Sequence, residues 1–206
     1  MLAARDPDRL AALADSLKNA EGVAAPFVYA DLRRDDAVDT LMEGLRAKVP
    51  SIDDLVLACG PFPRTPFATL TRADLVHTLT VHAIAPLLLA HDLAADLTAA
   101  QGAVVALSDA GVTRPFTNHV AYLTAKGALQ TGLRALAVEL APDVRVNVVA
   151  MGIVSDPEAD DDPLRTHRLA TRSPLGRFGT PEDVVHATLA LLDASWSTGE
   201  IWGIGR

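Results

Sequence analysis

Tyr122 and Lys126 stand four residues apart in a stretch where Leu129, Leu133, Leu136 and Leu140 repeat at helical spacing. Residues four apart on a helix project from one face. An ammonium beside a phenol favours the phenolate, so the pair predicts a Tyr122 pKa lowered from ~10 towards the working range. Such a tyrosine gives or takes a proton near neutral pH. Tyr-x-x-x-Lys is common on exposed helices, and the context sharpens it here. Asp109 lies thirteen residues before Tyr122, with Ser108 beside it, after an apolar run that reads as a strand.

The elements that must position these residues alternate along the chain. Asp6 and Pro7 open a helix carrying Leu10, Leu13 and Leu17. Residues 23–29 read as a strand, 36–49 as a helix and 55–59 as a buried strand. The stretch 60–66 holds Gly60 and three prolines and reads as a loop. A long apolar helix over 73–97 is expected to bend near Pro86. Then come a strand (103–107), a loop (108–119), a helix (121–140) and a strand (144–150). Residues 155–162 form an acidic, Pro-containing loop. Thr180-Pro181-Glu182-Asp183 predicts a capping box opening a helix to Leu192, and Ile201 and Trp202 a last strand. Strands alternating with helices predict one α/β domain over 1–206, a doubly wound parallel sheet with its ligand site beyond the carboxyl ends of the strands.

Composition narrows the partners. The 206 residues are 50% hydrophobic and 21% charged, which excludes a disordered chain. A net charge of −8 disfavours nucleic acid. No uninterrupted apolar run reaches the ~20 residues of a membrane span. The single cysteine, Cys59, allows no internal disulfide and no cysteine-built metal site, and it fits a reducing cytoplasm.

The run Ala121-Tyr-Leu-Thr-Ala-Lys-Gly-Ala-Leu129, with Ala137-Val-Glu-Leu-Ala-Pro142 and Val144-Arg-Val-Asn-Val148, resembles the catalytic segment of the short-chain dehydrogenase/reductase family. Pro174-Leu-Gly-Arg177, Thr180-Pro-Glu-Asp183 and Thr198-Gly199 are similar to its later loop, helix and last strand. The resemblance implies a Rossmann-like fold and a nicotinamide cofactor. It implies Tyr122 as proton donor, with Lys126 tuning it and holding the nicotinamide ribose. The position that usually holds a substrate-orienting Ser is Asp109, as in the pteridine reductase and dihydromonapterin reductase branch, where an acid assists proton delivery to a pterin. Phe62 matches an aromatic that stacks on pterin there. Arg5, past a strand end, favours NADP(H) over NAD(H). The remaining cofactor contacts implied are Asp31, Leu32, Cys59, Gly60, Tyr122, Gly152 and Val154. The resemblance also implies a homodimer or homotetramer through the two long helices, with a small-molecule substrate.

Several alternatives stay open at this level. Asp109 caps a turn while Ser108 serves as the usual Ser; Phe62 is core; Arg5 is a surface charge; Asp31 is a turn residue; Asn147 is structural. The family's Asn-Asn-Ala-Gly is here Leu57-Ala58-Cys59-Gly60. Its Pro-Gly after the sixth strand is Met151-Gly152. The Asn that anchors a proton-relay water is His82, a side chain able to hold a water or carry the proton. The chain starts at what resembles the family's second strand, without the first strand, Gly-rich turn and helix. Two explanations are expected: a start assigned too late, or a short form whose strands two and four pair directly. The functions that follow are an NADP(H)-dependent reductase of a C=N or C=O bond, pterin first and a ketone or 3-oxoacyl group second, or an inactive or truncated member acting as an oligomer partner.

Overall fold

The computed structural model describes residues 1–154 and 163–205; the predicted acidic loop at 155–162 lies outside the described residues. The strands are β1 (Leu2–Ala4), β2 (Phe27–Tyr29), β3 (Asp54–Leu57), β4 (Ala103–Asp109), β5 (Arg145–Met151) and β6 (Ile201–Ile204), and every pairing among them is parallel. They lie in two sheets, β1-β2 and β3-β4-β5-β6. The direct pairing of strands two and four expected for a short form is not formed, because β1 bonds only to β2 and β3 only to β4. Side chains join the sheets instead: Val28 and Ala30 share one hydrophobic cluster with Leu57, Val104 and Ala106.

The helices are α1 (Pro7–Glu21), α2 (Ala37–Arg46), α3 (Arg72–Leu79), α4 (Ala85–Asp92), α5 (Ala94–Ala100), α6 (Val120–Glu139), α7 (Pro163–Ala170) and α8 (Pro181–Asp193). Strand alternation sends Val104, Ala106, Val146 and Val148 into the cluster shared with α2, α4 and α6, and Val105 and Val149 to Ala187 and Leu191 of α8. The larger sheet is therefore covered on both faces, the doubly wound arrangement expected from the alternation of elements.

Two starts follow local chemistry. Asp6 accepts from the Arg9 amide at 3.0 Å at the head of α1. Thr180 and Asp183 form a reciprocal capping box on α8. Other boundaries moved. The strand at 23–29 shrinks to Phe27–Tyr29, because its partner β1 is three residues long and Pro26 has no N–H to give. α7 was not foreseen.

The long helix is divided. Between α3 and α4, Thr80–Ile84 forms a π turn closed by the Ala85 amide on the Thr80 carbonyl. Pro86 follows at once and cannot donate to the carbonyl four residues back, so the widened turn sits where the regular ladder fails. The run Arg72–Asp92 is also long and apolar enough to cross a membrane. Here Val81, Ala83, Ala85 and Leu89 are buried in the fold.

Candidate active site

The carboxyl ends of β3 and β4 and the first two turns of α6 meet at Tyr122. On α6, Tyr122, Lys126 and Gln130 recur at four-residue intervals, and all three are buried. The last two residues of β4 both bond to α6. Asp109 faces Tyr122, and the Tyr122 hydroxyl donates to Asp109 Oδ2 at 3.0 Å. The Gly111 amide donates to Asp109 Oδ1 at 2.6 Å, so the carboxylate is held at both ends. Ser108 meets the same helix further along. It is 1% exposed and accepts from Gln130 Nε2 at 3.0 Å. The same Gln130 nitrogen reaches the Asp109 carbonyl at 3.2 Å. The pair left open by sequence is thus divided: Asp109 stands at the phenol, and Ser108 is tied beneath it.

Lys126 is placed differently from the expectation. Its Nζ donates to the Leu107 carbonyl at 2.9 Å and lies 5.9 Å from the centre of the Tyr122 ring. The predicted lowering of the Tyr122 pKa is not found. Burial, and then the adjacent Asp109 carboxylate that accepts its hydrogen bond, push the phenol well above its ordinary value. Ionising Tyr122 would set two anions in hydrogen-bond contact. The phenol is held protonated, as a donor. Burial lowers the Lys126 pKa from its usual value.

His82, on the π turn, is 1% exposed, and its ring meets Tyr122 edge-on at 5.3 Å. Its Nε2 lies 2.8 Å from the Pro61 carbonyl. A carbonyl only accepts, so Nε2 carries the proton and Nδ1 is a bare lone pair. Burial lowers the His82 pKa to about 4. Gly60, at φ +115°, lies so close to this ring that a Cβ would overlap it. Cys59 is half-buried, with its thiol against the Val81 carbonyl and its pKa raised by burial.

Phe62 is exposed rather than core. Its ring stacks on His119 at 4.4 Å and meets Tyr122 edge-on at 4.8 Å. His119 Nδ1 lies 2.7 Å from the Thr117 carbonyl, which by the same logic leaves Nε2 as its open nitrogen. The Thr65 amide donates to the Asn118 carbonyl at 2.7 Å and ties the two loops at this mouth. Sequence reasoning missed His119 and Gln130. Their signal was spacing: one turn before Tyr122, and one turn after Lys126.

The remaining candidates lie at other strand ends. Arg5 is exposed past β1. Asp31 is paired with Arg33, and that contact, with a smaller contribution from nearby Arg5, lowers its pKa to about 2. Leu32 packs on the core. The Gly152 amide bonds to the Ile204 carbonyl at 2.8 Å, and Val154 bridges to Gly179. Asn147 is structural in its contacts: fully buried, it binds Ser197 and the Glu200 amide. For a dinucleotide, Arg5 and Asp31 suit the adenosine end, and the Lys126 ammonium suits a ribose. The head of α1 is capped by the Asp6 side chain. Among the described residues no group of three His, Cys, Asp or Glu gathers to hold a metal.

Known proteins resemble this chain along its length. A family model described as enoyl-(acyl carrier protein) reductase matches residues 1–204. An uncharacterized oxidoreductase of Bacillus subtilis, YmfI, is 33% identical over 94% of the chain and 81% of that protein. L-xylulose reductase of Bos taurus is 36% identical over 65% of the chain and 58% of that protein, less than two thirds of its length. Dihydromonapterin reductase of Klebsiella pneumoniae is 31% identical over 75% of the chain and 65% of that protein. L-sorbose reductase from Gluconobacter frateurii, solved with NADPH and L-sorbose, superposes with a TM-score of 0.91 at 24% identity, over 98% of this chain and 84% of that one. The angucycline C-6 ketoreductase LanV, solved with NADP, gives 0.86 at 26%, over 95% and 79%.

Proposed function

The chain belongs to the short-chain dehydrogenase/reductase family of oxidoreductases, and we propose that it is an NADP(H)-dependent reductase of a C=N or C=O bond, with a flat pterin-type ring as substrate. The observation that carries this reading is the 3.0 Å bond from the Tyr122 hydroxyl to Asp109 Oδ2. The bound cofactor would supply a hydride. The chain's own residues would hold it and deliver the proton.

Tyr122 is the acid. Its phenol is kept protonated by burial and by Asp109, so it gives up its proton only when a stronger acceptor is made beside it. Asp109 orients that proton. A carboxylate accepts and does not donate, so it opposes a carbonyl oxygen placed where a serine hydroxyl would bind one. It suits a substrate that presents an N–H beside the reducible bond, as a dihydropterin does. The exposed Phe62 ring, stacked on His119 above Tyr122, supports a flat ring in that place. Lys126 is positioned for the nicotinamide ribose, Arg5 for a 2′-phosphate, and Asp31 and Leu32 for the adenosine. Cys59, Gly60, Gly152 and Val154 complete the proposed cofactor contacts. His82 stays neutral and packs Tyr122 in place. NADP rather than NAD is favoured by Arg5 and by the NADP-bound structure of LanV.

The reading also takes the face of α3, α4 and α6 as the subunit contact, where Val76, Leu88 and Val138 are exposed. It places the protein in a reducing cytoplasm. Tyr122, Lys126 and Asp109, which stand together, speak against an inactive oligomer partner.

The test is NADPH oxidation with three substrates: a dihydropterin, L-xylulose and a 3-oxoacyl thioester. The dihydropterin is expected to turn over at least tenfold faster than the other two. Faster turnover of the sugar or the thioester would overturn the pterin assignment and leave the reductase reading standing.

A further inference from the structure

Three side chains of α6, spaced four residues apart, reach the last three residues of β4. The Tyr122 hydroxyl donates to Asp109 Oδ2 at 3.0 Å, and the Lys126 ammonium donates to the Leu107 carbonyl at 2.9 Å. The Gln130 amide donates to Ser108 Oγ at 3.0 Å and to the Asp109 carbonyl at 3.2 Å. In each bond the helix gives and the strand accepts. The sheet explains why the strand end needs them. β3 pairs with β4 only as far as Ala106, so Leu107, Ser108 and Asp109 have a strand neighbour in β5 alone.

Gln130 is the member of this row that the chemistry has not used. It is 5% exposed and stands between Leu129 and Leu133, both in the core. An amide buried there is costly unless it is paired. Its orientation follows from its partners. A carbonyl only accepts, so the nitrogen must face the Asp109 carbonyl, and its second hydrogen goes to Ser108 Oγ. The Asp109 carboxylate is held by the Gly111 amide at 2.6 Å and by the Tyr122 hydroxyl. Those two bonds fix the side chain. Gln130 fixes the backbone from which it hangs, at the point where β4 gives way to the turn Ala110–Val112. The other groups around the phenol do not hold Asp109: His82 meets the ring edge-on, and Lys126 is on Leu107.

We infer that Gln130 is a positioning residue, whose amide holds the end of β4 so that the Asp109 carboxylate stays on the Tyr122 hydroxyl. This rests on the reading of Tyr122 as the proton donor. A leucine would pack equally well beside Leu129 and Leu133, but it would leave the Ser108 hydroxyl and the Asp109 carbonyl without their donor. The influence of Gln130 on the phenol runs through the Asp109 charge, and it disappears where that charge is removed.

The experiment is an ultraviolet titration of the Tyr122 phenol in the full chain. The sequence has two tyrosines, so Tyr29→Phe leaves Tyr122 as the only signal. Two variants are compared in that background. Gln130→Met keeps the length and removes both donors, and Gln130→Asn keeps an amide but draws it back by one methylene, so either can be read if the other does not fold. Each is expected to lower the phenol midpoint by about one pH unit, the value of one neutral hydrogen bond. In Asp109→Asn the same changes are expected to leave the midpoint in place. NADPH oxidation with a dihydropterin is expected to slow about tenfold in kcat, with KM for NADPH unchanged. An unmoved or raised midpoint, or an equal fall with and without the Asp109 charge, would overturn the role, because a purely structural glutamine acts alike in both. The titration needs no turnover, so failure of the reductase assignment would appear separately, as a native chain that oxidises no NADPH.

Discussion

Acid should destabilise this protein through His82 before its carboxylates respond. The ring is buried with its pKa at about 4, against 6.5 when exposed in the unfolded chain. Between those values the unfolded chain binds a proton that the folded one refuses, so stability rises with pH across the window. The contribution is fully present above pH 6.5 and is lost as pH falls towards 4. A shift of that size corresponds to about 3 kcal/mol. The paired carboxylates Asp31 and Asp183, each with its pKa at about 2, lose their contribution only at lower pH. The assay is urea unfolding at pH 7, 6, 5 and 4 for the native chain and for His82→Gln. The variant starts less stable at pH 7, and its curve is flatter by about 3 kcal/mol over the range. Parallel curves for the two proteins would refute the burial argument.

Three further outcomes follow from contacts. Gly60→Ala is expected to destabilise by several kcal/mol, because a Cβ there meets the His82 ring on a backbone at φ +115°; thermal unfolding would read it. Arg145→Ala is expected to cost about 2–4 kcal/mol, read by denaturant unfolding. Its guanidinium donates to the carbonyls of Leu191, Leu192 and Ala194 at the end of α8. In Asp109→Asn the ionising phenol no longer faces an anion, so Tyr122 should titrate at lower pH in an ultraviolet titration; an unchanged or higher midpoint would contradict the role given to Asp109.

Much of this site was written in residue spacing. The caps at Asp6 and Thr180, the alternation of strands and helices, and the shared helix face of Tyr122 and Lys126 all follow from local chemistry. The failures have physical causes. Spacing on α6 fixes a face but not the destination of a long side chain. Lys126 therefore reaches the Leu107 carbonyl, and the phenol answers to Asp109 instead. Ending β4 at residue 107 rather than Asp109 hid that Ser108 and Asp109 both end the strand against α6, one at Gln130 and the other at Tyr122. Pro86 announced a bend, but the π turn that delivers His82 into the core depends on tertiary packing. β3 reads as a strand and the chain start resembles another, yet whether they pair is decided by long-range geometry that no local pattern carries.

The most direct test of the central claim is the rate of NADPH oxidation with a dihydropterin, measured beside NADPH binding, for the native chain and Tyr122→Phe. Loss of the proton donor should lower kcat by about 10²–10⁴-fold while NADPH binds with unchanged affinity. Equal rates in the two proteins, or a native chain that binds no NADPH, would contradict the account.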